Sequence, residues 1–346
     1  MDTSVTGTAK ASVVVVGGAN LDIQGMSFAR FVGADSNPGI IERSAGGVGR
    51  NIAENLARLG MEVSLISVFG DSEEGLSLLE GCRRSGIEVS QSLIVSDRAP
   101  TYLAIVDRTG ALVGAVADMG AMDRLTPEQL EKRVSILDSA AFLVVDTNVP
   151  RDSLRWLVDR YGRREWRQRH GDCGCRVAGA WTADRAPLLV LDPVSCAKAG
   201  RAAGMLGAFT LAKPNRAECG ILAGNEGEYP ARLCAVLRQK GELPGELYIS
   251  MGEQGIYCCP ETGDPALVKL PPPSLCPAPV NRSGAGDAAL AALVWATARG
   301  GSPEEKARYA LTASALTAAS KDPVNKDLSE SGLLAEKARM FDFSGA

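Results

Sequence analysis

Apolar residues recur along this chain in two rhythms, and their alternation predicts the fold class. Ser12-Val-Val-Val-Val-Gly-Gly18 is an unbroken β-branched run closed by glycines, which predicts a strand buried on both faces of a parallel sheet. A helical period follows over residues 49–59, a strand over 62–69 and a second helix over 74–85. That is the βαβα order of an α/β doubly wound, mostly parallel sheet flanked by helices. The order resumes with a strand at 141–146, a helix at 151–160 and strands at 187–192 and 209–212. A helix at 229–240, a strand at 246–250 and two long helices between Asp287 and Ser320 complete it.

Two stretches depart from this rhythm. Residues 88–117 break into short extended pieces at Ser96-Asp-Arg-Ala-Pro100 and at Asp107-Arg-Thr-Gly110, the second of which reads as a hairpin turn. Residues 23–45 also lack a helical period and can pair with those pieces in a small β-sheet outside the main one, where a lid is the expected role. Residues 161–186, rich in Arg and Gly with Trp166 and Trp181, read as a solvated surface insertion, a nucleic-acid patch being the alternative. No repeat or low-complexity linker separates these pieces, so one large domain carrying a lid is expected over residues 1–346.

Composition narrows the partners. A net charge of -4 over 346 residues, spread along the chain, favours a small-molecule substrate over nucleic acid or a membrane. The polar opening lacks the order of a signal peptide, and no apolar run reaches the length of a membrane span. Nine cysteines without framework spacing point to a reducing setting, so a cytoplasmic protein is expected, without a C-terminal peroxisomal tripeptide. His170-Gly-Asp-Cys173-Gly-Cys175 has three potential metal ligands but no second cluster to complete a tetrahedral site, and reads as a surface loop.

Candidate chemistry gathers first at Asn281-Arg-Ser-Gly-Ala-Gly-Asp287. Gly284, Ala285 and Gly286 let the backbone approach a ligand closely, and the alanine-rich run after them places that turn at a helix N-terminus, a site for an anion. Asp287 would be repelled by that anion yet suits accepting a proton from a hydroxyl that attacks it; an acidic cap in a glycine turn is the alternative. Asn20-Leu-Asp22 follows the first strand, and Asp22 can take two hydroxyls. Ala45-Gly-Gly-Val-Gly-Arg50-Asn51 is a second glycine cluster leading into a helix, without the ending of a P-loop. Lys213-Pro-Asn215-Arg-Ala-Glu218 offers an amide for phosphate and a carboxylate for hydrated Mg²⁺, or a capping box, and the two do not exclude each other. Ser250-Met-Gly252-Glu-Gln-Gly255 is a glycine turn on which a nucleotide can lie.

Taken in this order, the five segments resemble the ribokinase-like carbohydrate and nucleoside kinases, the PfkB family, over nearly the whole chain. Ala34-Asp-Ser-Asn-Pro-Gly39, Gly46-Gly-Val-Gly-Arg-Asn51 and Asp192-Pro-Val-Ser195 are most similar to the family's pseudouridine kinases. The resemblance implies a ribokinase-like fold and Mg²⁺- and ATP-dependent phosphorylation of the 5′-hydroxyl of pseudouridine, with ribose or another nucleoside as the alternative substrate and an inactive nucleotide-binding regulator as the reading from another class. It implies Asp287 as catalytic base and the amides of Gly284, Ala285, Gly286 and Asp287 as an anion hole. Asn20, Asp22, Gly46, Gly47 and Asn51 would hold the ribose with Asn148 nearby. Asn215, Ser250, Gly252, Gly255 and Ser283 would line the ATP site, and Glu218 would organise Mg²⁺ through water.

Two positions depart from the family pattern. Asn281 stands where ribokinases place an Asp near a monovalent cation, which argues against K⁺ activation; Ser283 replaces a commoner Thr and keeps the hydroxyl. Pseudouridine carries a ring N–H that uridine lacks, so discrimination calls for an acceptor, for which Ser36, Asn37 and Thr101 on the lid are the candidates. An open strand edge on that lid favours a homodimer that covers it.

Overall fold

The computed structural model describes residues 11–96, 98–163, 186–225, 227 and 229–342. The His170, Cys173 and Cys175 group and nearly all of the 161–186 insertion lie outside them. In chain order the strands are β1 Ser12–Val16, β2 Asn20–Ser27, β3 Gly39–Gly46, β4 Glu62–Ile66, β5 Val68–Gly70, β6 Leu93–Val95, β7 Thr101–Val106 and β8 Leu112–Asp118. Then come β9 Phe142–Asp146, β10 Leu188–Asp192, β11 Leu211–Ala212, β12 Glu246–Ser250, β13 Ile256–Pro260 and β14 Ala266–Val268. The longer helices are α1 Val48–Arg58, α2 Glu73–Arg84, α3 Arg151–Tyr161, α4 Arg216–Ala223, α5 Pro230–Gln239, α6 Ala285–Ala298, α7 Pro303–Ala318 and α8 Glu330–Lys337.

The main sheet has the order β14-β13-β12-β11-β10-β9-β1-β4, parallel from β12 through β4 and antiparallel at the β13 and β14 edge. The valine run of β1 explains why two layers of helix are needed. Val13 and Val15 enter one apolar cluster with Ile52 and Leu56 of α1 and the alanine-rich face of α6. Val14 and Val16 enter the other, with Leu154 and Leu157 of α3 and Leu233 and Leu237 of α5. No helix among the described residues is long and apolar enough to cross a membrane.

A second sheet, in the order β3-β2-β7-β8, stands apart from the first and contains the Asp107 to Gly110 hairpin turn. The extended pieces between 88 and 95 do not join it: Leu93–Val95 pairs with β5, and Glu88 bridges to Ser64 of β4. The small sheet therefore draws on residues 20–46 and 101–118. All seven cysteines among the described residues are free thiols.

Candidate active site

The strand order reverses at β1, which has β4 on one side and β9 on the other, and this opens a crevice at the carboxyl edge of the sheet. Three neighbouring strands end there on charge. Asp146 closes β9, Asp192 closes β10, Lys213 follows β11, and all three are buried. Asp146 Oδ2 accepts from the Gly18 amide at 2.8 Å and the Gly49 amide at 2.7 Å, fastening the end of β1 to the start of α1.

That fastening aims α1. Its Asn51 donates from Nδ2 to Asp287 Oδ2 at 2.9 Å, while Arg50 Nη1 donates to Asn51 Oδ1 at 3.0 Å. Turning the amide over would set its NH₂ against the guanidinium, so Arg50 fixes which end of Asn51 meets Asp287. Arg50 is held in turn by Glu54, which also binds Arg58 at 2.7 Å.

Asp287 lies in the first turn of α6, behind the N-cap Gly284. Gly284 has φ 74°, and a Cβ there would meet the Pro323 carbonyl oxygen at 1.7 Å, so only glycine closes this turn. Backbone amides in the first turn have no intrahelical acceptor. Asn281 shapes the approach, accepting from Ser283 N at 2.9 Å and donating to the Lys321 carbonyl at 2.9 Å. Burial, then the Asp192 charge, pushes the Asp287 carboxyl up to about 8; the Asn51 bond and Lys213 oppose the rise. Burial works against the Lys213 charge, but Asp192, Glu218 and Asp287 outweigh it and hold the ammonium above its ordinary value. Lys213 Nζ is 3.5 Å from Asp192 Oδ2 and would lie 3.5 Å from a Cβ placed on Gly286.

Asn215 and Glu218 form a full capping box: Glu218 N donates to Asn215 Oδ1 at 2.9 Å and Asn215 N to Glu218 Oε2 at 2.8 Å. Burial and then Asp192 raise the Glu218 carboxyl as well. Asn215 bridges to Ser250, and Gly252 and Gly255 occupy the turn between β12 and β13, so the four residues share one edge. Asp192, Glu218 and Asp287 are hard oxygen donors gathered around the single Lys213 ammonium, a set that fits a hydrated divalent cation. Among the described residues no group of three or more His, Cys, Asp or Glu side chains is arranged to hold a metal directly.

On the opposite wall, Asn20 Nδ2 donates to Asp22 Oδ1 at 2.5 Å, and Asp22 Oδ2 lies over Gly46, where a Cβ would come within 2.1 Å of it. Burial raises the Asp22 carboxyl against the pull of Asn20 and Arg50. Gly47 caps α1. Asn148 is engaged internally, donating to Asp146 Oδ2 at 3.1 Å and accepting from the Lys198 ammonium. Lys198, whose charge burial disfavours, is a polar group at this wall that sequence reading did not single out. Asp146 was not singled out either, and Asp192 and Lys213 entered only as the first residues of quoted segments, without a role.

Three expected lid residues are not brought to Asp22 within the chain. Ser36 and Asn37 lie past the far end of β2, about 16 Å along the strand from Asp22 at ~3.3 Å per residue. Asn37 is engaged by Val32, accepting from its amide and donating to its carbonyl at 2.8 Å each. Thr101 pairs with Leu21, on the face turned away from Asp22, and its hydroxyl donates to the Ala99 carbonyl at 2.8 Å.

A carboxylate buried in the first turn of a glycine-led helix, at the carboxyl edge of a doubly wound sheet flanked by a small second sheet, defines a ribokinase-like sugar or nucleoside kinase. A carbohydrate kinase from Agrobacterium tumefaciens is similar to this chain at TM-score 0.77 and 28% identity, covering 95% of this chain and 98% of that one. Arabidopsis thaliana ribokinase, solved with ribose and ATP, shares the fold at TM-score 0.77 and 18% identity over 95% and 99%. The pfkB family carbohydrate kinase profile matches residues 10–329, and the chain belongs to that family. Among curated relatives, the Escherichia coli pseudouridine kinase is 33% identical over 92% of this chain and 94% of its own length. The uncharacterized sugar kinase YeiI of the same organism is 34% identical over 93% and 82%.

Proposed function

We propose that this kinase transfers the γ-phosphoryl group of ATP to the 5′-hydroxyl of pseudouridine. The observation that carries the reaction is the Asp287 carboxylate in the Gly284-led turn, raised by burial and held by Asn51. Its raised affinity for a proton suits a general base that must take one from an alcohol near neutral pH. The identity of 33% to a pseudouridine kinase over nearly the whole chain supports the substrate.

In this reading Asn20, Asp22, Gly46, Gly47 and Asn51 hold the ribose, and Asn148 acts beside them through Lys198. The 5′-hydroxyl gives its proton to Asp287 as it attacks, and the amides of Gly284, Ala285, Gly286 and Asp287 receive the charge that develops on the phosphoryl oxygens. Magnesium-bound ATP supplies the phosphoryl group and a cation that neutralises it, with Glu218 and Asp192 as holders through water. Asn215, Ser250, Gly252, Gly255 and Ser283 line the nucleotide's path. The small sheet serves as lid of a single kinase domain. Ser36 and Asn37 could meet a base from a second copy in a homodimer packed through the lid, where Ile41 and Val116 expose apolar surface.

The equal similarity to a sugar kinase favours a second reading, a free sugar as acceptor. A coupled assay with ATP and Mg²⁺ across ribose, adenosine, uridine and pseudouridine decides between them. Selective turnover of pseudouridine is expected; turnover of ribose alone would replace the first reading by the second.

A further inference from the structure

The register of the small sheet puts an aromatic ring where sequence reading had looked for a hydroxyl. β2 and β7 run parallel with Asp22 opposite Tyr102, while Thr101 is opposite Leu21. Paired residues share a face, so Tyr102, not Thr101, stands beside the carboxylate that lies over Gly46 and is proposed to hold the ribose. On that face Ala117 lies across on β8, Ala104 two positions along β7, and Ser44 beyond Asp22 on β3, with Asn20 and Gln24 diagonal to the ring on β2. Tyr102 is 37% exposed, and its hydroxyl has no hydrogen-bond partner among the described residues.

We propose that Tyr102 is the platform on which the base of the substrate stacks, so that this site takes a nucleoside in preference to a free pentose. The inference rests on the nucleoside reading above. Paired strands lie ~4.8 Å apart, which sets the ring about one aromatic contact away from a sugar held by Asp22. A tyrosine ring suits a pyrimidine stacked on it at a half-exposed site: its face is apolar, its two side-chain torsions cost little to order, and its free hydroxyl can meet water or a ring polar group.

The test measures kcat/KM for pseudouridine and for ribose at saturating MgATP, in the wild-type chain and in Tyr102→Ala and Tyr102→Phe, with melting curves to confirm that each variant folds. Stacking predicts that the pseudouridine-to-ribose ratio falls about 10- to 100-fold in Tyr102→Ala, through the nucleoside KM, and stays within about threefold of wild type in Tyr102→Phe. An unchanged ratio in Tyr102→Ala, in an enzyme that turns over nucleosides, overturns the platform and leaves the kinase reading intact. A fall in Tyr102→Phe as large as in Tyr102→Ala also overturns it, assigning the effect to the hydroxyl. A wild-type enzyme that phosphorylates ribose but no nucleoside overturns the parent reading and the platform with it.

Discussion

Asn51 and Asp287, 236 positions apart in the chain, are joined by one buried hydrogen bond of 2.9 Å that ties the first turn of α6 to α1. The bond sets the acidity of the proposed base, because an N–H donated to the charged form favours that form. Asn51→Ala is therefore expected to move the acidic limb of the kcat/KM profile to higher pH by about one unit, a hydrogen bond to a charged group contributing roughly 1.5–3 kcal/mol before relaxation. Activity lost at neutral pH should return in part as pH rises. A uniform loss at every pH would assign Asn51 to substrate binding alone.

Asp287 itself should weaken the free fold. Its carboxyl is raised from 3.8 to about 8 in the folded chain, so between those values the folded state keeps a proton that the unfolded state has lost. Stability then falls as pH rises through that window and is flat beyond it. Asp287→Asn removes the titration while keeping an oxygen for Asn51, and should stabilise the ligand-free protein by about 1–2 kcal/mol at neutral pH, with a smaller gain near pH ~5. The same variant should lose about 10²- to 10⁴-fold in kcat. Thermal melting at the two pH values checks the first half, and an equal shift at both would contradict it.

The long elements were legible because their patterns are local. The valine run of β1 needs two apolar layers whatever surrounds it, and the alanines after Gly284 form a helix wherever they are placed. Asp146, Asp192 and Lys213 were not read as a group because their meeting depends on strand order, which no local pattern contains. A signal was present: Phe142–Asp146 and Leu188–Asp192 are each an apolar run ending on a buried carboxylate, and a charge closing a two-sided buried strand points to a sheet edge where ligands bind. Thr101 was named as an acceptor and Tyr102 was not considered; which of two successive strand residues faces the site is set by pairing register, and one step in register reverses it.

Gly46 gives the sugar wall its shape. A methyl group there would meet Asp22 Oδ2 at 2.1 Å, so Gly46→Ala must turn Asp22 out of its bond with Asn20. The loss should fall on the acceptor: KM for the nucleoside rises by about 10-fold or more, on the order of one charged hydrogen bond, while KM for MgATP changes little. Steady-state kinetics with each substrate varied in turn checks this. A matching rise in the MgATP KM would mean that the substitution had moved α1 as a whole.

Glu218 separates a structural role from a chemical one. It closes the capping box on Asn215 and is also a buried carboxylate beside Asp192 and Lys213. Glu218→Gln can still accept from the Asn215 amide, because glutamine serves in a capping box, yet it removes the charge proposed to organise Mg²⁺. If the charge matters, the melting temperature stays at or above that of the wild type, since a carboxylate disfavoured by burial has gone. The Mg²⁺ concentration for half-maximal velocity should rise about 10-fold, as is usual when an outer-sphere partner of a metal is lost. Glu218→Ala should in addition lose about 1 kcal/mol through the broken cap. If Glu218→Gln kept the wild-type Mg²⁺ dependence while Glu218→Ala lost both stability and activity, the residue would be a helix cap alone.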